Sequence, residues 1–212
     1  MNPEREPSSL LATPLNQFLD GDPSLRLNRL AGMLNNAQIV QNESTWISST
    51  KRKEDGSNTV SIGTQALPED VSDRWGYGTR DPKEQSVIKL AHELAHVYQR
   101  ESGLEGALVS FLNGNTDIAN EHIPFIELYA MLTGLGPING LTTEAIYAEQ
   151  SKGTGLLKME ILEDITELMG AYMISDEYFS YRLENSISNL THEEKEQIAT
   201  KILQICAVLD TN

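Results

Sequence analysis

The stretch Ile88-Lys89-Leu90-Ala91-His92-Glu93-Leu94-Ala95-His96-Val97-Tyr98 carries a short polar motif inside an otherwise apolar segment. Its apolar residues recur at the spacing of an amphipathic helix, so the stretch predicts a helix with a buried face. His92 and His96 are four residues apart, and both imidazoles can therefore reach one metal ion from the same face of that helix. The rest of the fold is expected to pack around this helix.

Residues on either side of the stretch indicate where the helix begins and ends. Asp81-Pro82-Lys83-Glu84 predicts the start, with Asp81 as the N-cap and Pro82 at the first helical position. Glu84 is expected to reach back to the cap. Gly103 predicts the end, because glycine readily adopts the left-handed conformation that closes many helices.

The regions before and after this helix predict different kinds of structure. Upstream, leucines at helical spacing predict a short helix over 25–34, and short β-type runs with a turn follow: Ile39-Val40, Trp46-Ile47, Val60-Ser61-Ile62 and the turn 55–58. Downstream, helices are expected near 120–133, 142–150 and 156–174, with a last one opened by a Thr191 capping box. This order predicts an α+β fold: a small antiparallel sheet packed on the motif helix, followed by a mainly helical C-terminal half.

Length and composition bound the organisation of the chain. Its 212 residues suffice for one domain over 23–212, and residues 1–22, rich in Pro, Ser and Asn, are expected to form a flexible arm. A net charge of −15 argues against a nucleic-acid partner. No signal peptide or membrane-spanning segment is visible, so a cytoplasmic location without a membrane partner is expected, with export by a specialised route left open. The single cysteine, Cys206, lies in an apolar run typical of a core.

The His-Glu-x-x-His spacing predicts one zinc ion per chain. A catalytic zinc takes three protein ligands and keeps one position open, so His92 and His96 need a third partner. Glu93 lies about 100° round the helix from His92, where it can act as general base towards metal-bound water. The other two histidines are poor third ligands: His192 lies in a polar capping box, and His122 would have to fold over the site from a helix boundary.

The third ligand is therefore expected to be a carboxylate. The segment 159–169 places acidic residues in an apolar helix, which is costly unless they meet a cation or hydrogen-bond donors. Two pairs have the same four-residue spacing there, Glu163 with Glu167 and Glu160 with Asp164. Glu127 is a further candidate, although no acid follows it four residues later.

A His-Glu-x-x-His helix followed several dozen residues later by a Glu-x-x-x-Glu helix resembles the gluzincin branch of the zincin metallopeptidases. The resemblance implies a zincin-like fold in which His92, His96 and Glu163 hold the zinc and Glu93 is the general base. It implies also that Glu167 orients a ligand histidine. Glu163 is favoured over the alternative register because the residues after Glu167 continue as they do in such glutamate helices. The metzincin pattern does not fit, since its glycine and third histidine are missing after His96.

Two further features are expected from the resemblance. Zincins hold an extended substrate along an edge strand upstream of the zinc helix, and the segment 59–64 is the candidate, with an internal hairpin strand as the alternative. A tyrosine often helps to hold the oxyanion in these enzymes, and the candidates are Tyr147, Tyr172 and Tyr178.

The sequence thus predicts a zinc-dependent metallopeptidase that hydrolyses a peptide bond in a peptide or protein substrate. Two alternatives stay open. One is a catalytically inactive, zinc-stabilised binding or regulatory module. The other is a secreted bacterial effector protease with a single host target.

Overall fold

The computed structural model describes residues 26–27, 29–30, 34, 37–66, 68, 82–115, 117–133, 159–186 and 190–210. In this part of the chain three strands precede six α-helices, so the predicted α+β class is confirmed. The strands are β1 (Ala37–Asn42), β2 (Ser49–Arg52) and β3 (Asn58–Gly63). The helices are α1 (Pro82–Glu101), α2 (Leu104–Leu112), α3 (Ile123–Thr133), α4 (Met159–Ile174), α5 (Asp176–Ser186) and α6 (His192–Cys206).

The three strands form a mixed sheet in the order β1-β3-β2. Strand β2 pairs with β3 as an antiparallel hairpin, whereas β1 pairs with β3 in parallel. The prediction of a wholly antiparallel sheet is therefore wrong. The chain leaves β1, forms β2 at the far edge and turns back into the middle, so that β3 runs in the same direction as β1. Hydrophobic runs indicate where strands lie but not in which order they pair.

This strand order also corrects the predicted edge strand. The segment proposed for that role, residues 59–64, overlaps β3, which lies at the centre of the sheet. Among the described strands β2 occupies the edge on the antiparallel side and pairs with β3 alone. The polar, mostly exposed residues of β2 lack the apolar pattern that marked the other runs, which is why the strand was missed.

Helix α1 is the centre of the packing. It contacts β2 and β3 on the sheet and crosses α4 closely. Six of its described side chains are completely buried: Leu90, Ala91, Leu94, Ala95, Val97 and Gln99. At the crossing, Gly170 of α4 approaches so closely that a Cβ there would lie 3.1 Å from the backbone nitrogen of His92. The motif is thus held between the sheet and a second helix.

Several boundaries follow the sequence signals. Gly103 has a φ of 78° and lies two residues after the end of α1. Thr191 and Glu194 form the predicted capping box of α6. Cys206 is completely buried, as its apolar surroundings predict. Helices α2 and α5 were not predicted. The predicted arm 1–22, the cap at Asp81 and the helix near 142–150 lie outside the described residues.

The described ends of the chain are tied together by arginines. Arg26 donates from Nε to Asp210 Oδ1 at 2.7 Å and from Nη1 to Asp176 Oδ1 at 2.6 Å. Its guanidinium lies 3.9 Å from the centre of the Tyr172 ring, at the C-terminal end of α4. Arg29 donates to the carbonyl oxygen of Leu209 at 2.7 Å. Within the described ranges no helix has both the length and the apolar character needed to cross a membrane.

Candidate metal centre

Three side chains from two helices converge on one point beside the α1 and α4 crossing. The Nε2 atoms of His92 and His96 are 3.2 Å apart. Oε2 of Glu163 lies 3.2 Å from Nε2 of His92 and 3.3 Å from Nε2 of His96. The two imidazole rings stand nearly perpendicular, at 85°, so that each turns a nitrogen towards the same space. The three donor atoms therefore form an almost equilateral triangle.

The size of this triangle fits a tetrahedral zinc. Zinc binds histidine nitrogen and carboxylate oxygen at about 2.0–2.2 Å, and a tetrahedron with such bonds places its corners about 3.3–3.5 Å apart. Of the three separations, 3.3 Å lies at the lower end of that range and the two of 3.2 Å lie just below it. Two imidazole nitrogens and one carboxylate oxygen are also a donor set that zinc prefers in catalytic sites. The residues present fit the ion, and a fourth corner is left for another ligand.

The geometry decides between the two carboxylate pairs of α4, Glu163 with Glu167 and Glu160 with Asp164, which have the same spacing in the sequence. Glu163 reaches the histidines, and the group of possible ligands found in the described residues contains Glu163 with neither Glu160 nor Asp164. Both of those residues are exposed. Partial desolvation of the Asp164 carboxyl, together with the negative charge of Glu167 nearby, raises its pKa.

The electrostatics of the triangle favour a charged carboxylate. Hydrogen bonds from His92 and His96 lower the pKa of Glu163 far below its ordinary value, although partial burial opposes the shift. The side chain of Glu163 is 46% exposed, whereas those of His92 and His96 are 11% and 21% exposed. The centre is thus buried on the histidine side and open towards Glu163, and solvent or a substrate can approach from there.

Glu93 follows His92 directly on α1, and its side chain faces the edge of the sheet. It is only 7% exposed, and its Oε2 accepts a hydrogen bond of 2.6 Å from Oγ1 of Thr50 on β2. Sequence reasoning missed Thr50, because nothing in the spacing connects residues 43 positions apart. The candidate base is therefore hydrogen-bonded to the outermost described strand.

Two further charged residues, Arg100 and Glu105, lie near His96. The Nε of Arg100 donates to the carbonyl oxygen of His96 at 3.2 Å. Burial raises the pKa of Glu105, at the start of α2, while Arg100 and His96 oppose the shift. Glu105 was missed as well, since α2 was not expected to turn back towards the motif. The signal available was a glutamate two residues after the predicted helix stop, Gly103.

The predicted partner of a ligand histidine, Glu167, forms an ion pair with Arg182 of α5. Arg182 is 3% exposed, so this pair is largely shielded from water. The role of Glu167 beside a histidine stays a prediction.

The remaining ligand candidates are engaged elsewhere. Nε2 of His122 lies 3.0 Å from the carbonyl oxygen of Ser102, close to the end of α1. His192 is largely exposed and faces Glu196 on α6. Glu127 forms an ion pair with Lys201, between α3 and α6.

The oxyanion candidates are placed differently from one another. The Tyr172 hydroxyl donates to Asp210, and burial together with this carboxylate raises its pKa. The Tyr178 ring is buried and stacks on Tyr181, with ring centres 6.3 Å apart. Tyr147 lies outside the described residues.

A cavity of about 400 Å³ lies along α1 on the N-terminal side of the motif. Its wall includes Ile88, four residues and so about 6 Å along the helix axis before His92. The lining is Val87, Ile88, Ile174, Ser175, Glu177, Tyr178 and Tyr181. The cavity is mostly apolar, and none of the three possible ligands lines it.

Comparisons with models of protein families, with curated proteins and with solved structures find no match to this chain. Functional interpretation therefore depends on the chemistry of the centre itself.

Proposed function

We propose that the chain is a zinc metallopeptidase that cleaves a peptide bond with Glu93 as its general base. The observation that carries the proposal is the triangle of donor atoms from His92, His96 and Glu163, whose edges suit three corners of a zinc tetrahedron. Three protein donors with a fourth position open distinguish a catalytic zinc site from a structural one.

Three of the residues would bind the ion, and a fourth would transfer a proton. His92, His96 and Glu163 would hold the zinc. A bound zinc supplies a Lewis acid that acidifies water and polarises a carbonyl. Glu93 accepts the proton of the attacking water and then delivers it to the leaving nitrogen, and its enclosed carboxylate is protected from competing solvent.

A peptide substrate is supported by the position of β2. The outer side of an edge strand presents backbone groups that can pair with an extended peptide. Thr50 of β2 donates a hydrogen bond to the carboxylate of Glu93. A peptide lying along this strand would therefore pass beside the base. An antiparallel edge strand upstream of the motif helix is also what the resemblance to zincins implies.

The substitution Glu93→Gln tests the catalytic part of the proposal. Glutamine preserves size and hydrogen bonding but cannot accept the proton, so hydrolysis should fall by about 100-fold or more while zinc stays bound. The measurement is cleavage of a mixed peptide library, followed by mass spectrometry, together with the zinc content of each protein. Glu160→Gln, an exposed change on α4, is the control and should cleave like the wild type.

Two results would count against the proposal. If Glu93→Gln cleaves at the wild-type rate, the assignment of the base is wrong. If the zinc-loaded wild type cleaves no peptide, the zinc-stabilised module without hydrolysis becomes the better account.

A further inference from the structure

The hydroxyl of Thr50 makes two contacts with the same glutamate across the sheet and helix interface. Oγ1 lies 2.6 Å from Oε2 of Glu93 and 3.3 Å from its backbone carbonyl oxygen. A hydroxyl has one proton to donate, and the shorter contact to the charged oxygen is the stronger hydrogen bond. The Thr50 proton is therefore directed at the carboxylate.

The backbone around Thr50 gives this hydroxyl a fixed position. Thr50 pairs with Val60 in the antiparallel β2 and β3 ladder, and the β-branched side chain has few rotamers to choose from. Val60 is completely buried, so the partner strand is anchored in the core. The donor that meets Glu93 thus belongs to the strand along which an extended peptide would lie.

The geometry points to Thr50 as a positioning residue for the general base. We infer that its hydroxyl holds the Glu93 carboxylate in the orientation needed for proton transfer, so that the edge strand that guides the peptide also aligns the base. The inference rests on the proposed function. Because the Thr50 hydroxyl is hydrogen-bonded to Glu93, it acts through that carboxylate.

The chain offers a matched pair of substitutions. Thr50→Val keeps the shape and the strand preference of threonine but removes the hydroxyl. Thr50→Ser keeps the hydroxyl and removes only a methyl group. With a peptide cleaved by the wild type, Thr50→Val should lower kcat by about tenfold with little change in KM, because a hydrogen bond to a charged group is lost. Thr50→Ser should restore most of kcat.

A second measurement detects the hydrogen bond between Thr50 and Glu93 without depending on catalysis. In zinc-loaded protein labelled with ¹³C-glutamate, the carboxyl resonance of Glu93 is assigned by its absence in Glu93→Gln. This resonance should shift in Thr50→Val and stay near its wild-type position in Thr50→Ser. The zinc content should be the same in wild type and both variants.

The possible outcomes are distinct. Equal kcat and an unmoved resonance in Thr50→Val would overturn the role of Thr50 while leaving the proposed function intact. Failure of Thr50→Ser to restore kcat would also overturn it, because the hydroxyl would not be the active feature. A wild type that cleaves no peptide overturns the proposed function itself and is recognised before any variant is compared.

Discussion

Lys89 connects the motif helix to the end of β3 through a single buried charge. Its side chain is almost completely buried and donates from Nζ to the carbonyl oxygens of Gly63, at 2.9 Å, and Gln65, at 3.1 Å. Burial disfavours the charged form and lowers the pKa of Lys89 to about 8. A lysine on the apolar side of a predicted helix was a visible signal, but its acceptors could not be known from the sequence.

This lowered pKa predicts a pH dependence of stability. Below pH 8 the lysine is protonated in both states, and folding carries the full cost of burying the charge. As the pH rises from about 8 towards 10.5, the folded protein releases the proton first, and its free energy of unfolding increases by about 1–3 kcal/mol. Urea denaturation of chelator-treated wild type and Lys89→Met at pH 7.5 and 10 checks this. A difference between the two proteins that does not change with pH would contradict it.

At the scale of single residues, what could be predicted depended on sequence distance. His92, Glu93 and His96 are close together in one helix, so their shared position followed from helix periodicity. Thr50 and Glu105 approach them only through the tertiary packing of β2 and α2. No local pattern encodes such contacts, which is why both were missed.

At the scale of elements, the crossing of α1 and α4 sets the reach of Glu163. Gly170 lies seven residues after Glu163 and therefore on nearly the same face of α4. A Cβ at this position would lie 3.1 Å from the His92 nitrogen and 3.2 Å from the carbonyl carbon of Ala91. Both atoms belong to the backbone of a buried helix and cannot move aside as a flexible side chain could.

Gly170→Ala should therefore weaken zinc binding. Alanine favours the helix by about 1 kcal/mol, but the new methyl group pushes α4 away from α1 and withdraws Glu163 from the histidines. The zinc affinity, measured by competition with a chromophoric chelator, should fall by about tenfold. Gly106→Ala in α2 is the control, because a Cβ there meets no heavy atom within 4 Å among the described residues. Wild-type affinity in Gly170→Ala would show that the crossing does not control the centre.

The sequence predicted elements better than their arrangement. The end of α1 and the capping box of α6 were predicted correctly because both depend on a few adjacent residues. The wholly antiparallel pairing was wrong because the direction in which β1 pairs with β3 is decided by contacts far apart in the chain. Helices α2 and α5 were missed because their apolar positions follow directly on those of neighbouring helices.

At the scale of the whole molecule, the centre joins distant parts of the chain. Two ligand candidates come from α1 and the third from α4, more than sixty residues later. The far end of α4 is fixed by Arg26, which lies over Tyr172 and pairs with Asp176 and Asp210. The position of Glu163 therefore depends on the complete fold, although its acidic character in an apolar helix was visible in the sequence.

Zinc content, measured by mass spectrometry of purified wild type, Glu163→Ala and Glu160→Ala, tests the central claim without needing a substrate. The two glutamates are one helical turn apart on α4, and only Glu163 reaches the histidines. The account predicts one zinc per chain in the wild type and in Glu160→Ala, with the metal lost or much more weakly held in Glu163→Ala. A wild type without zinc after refolding in its presence, or equal zinc in all three proteins, would contradict it.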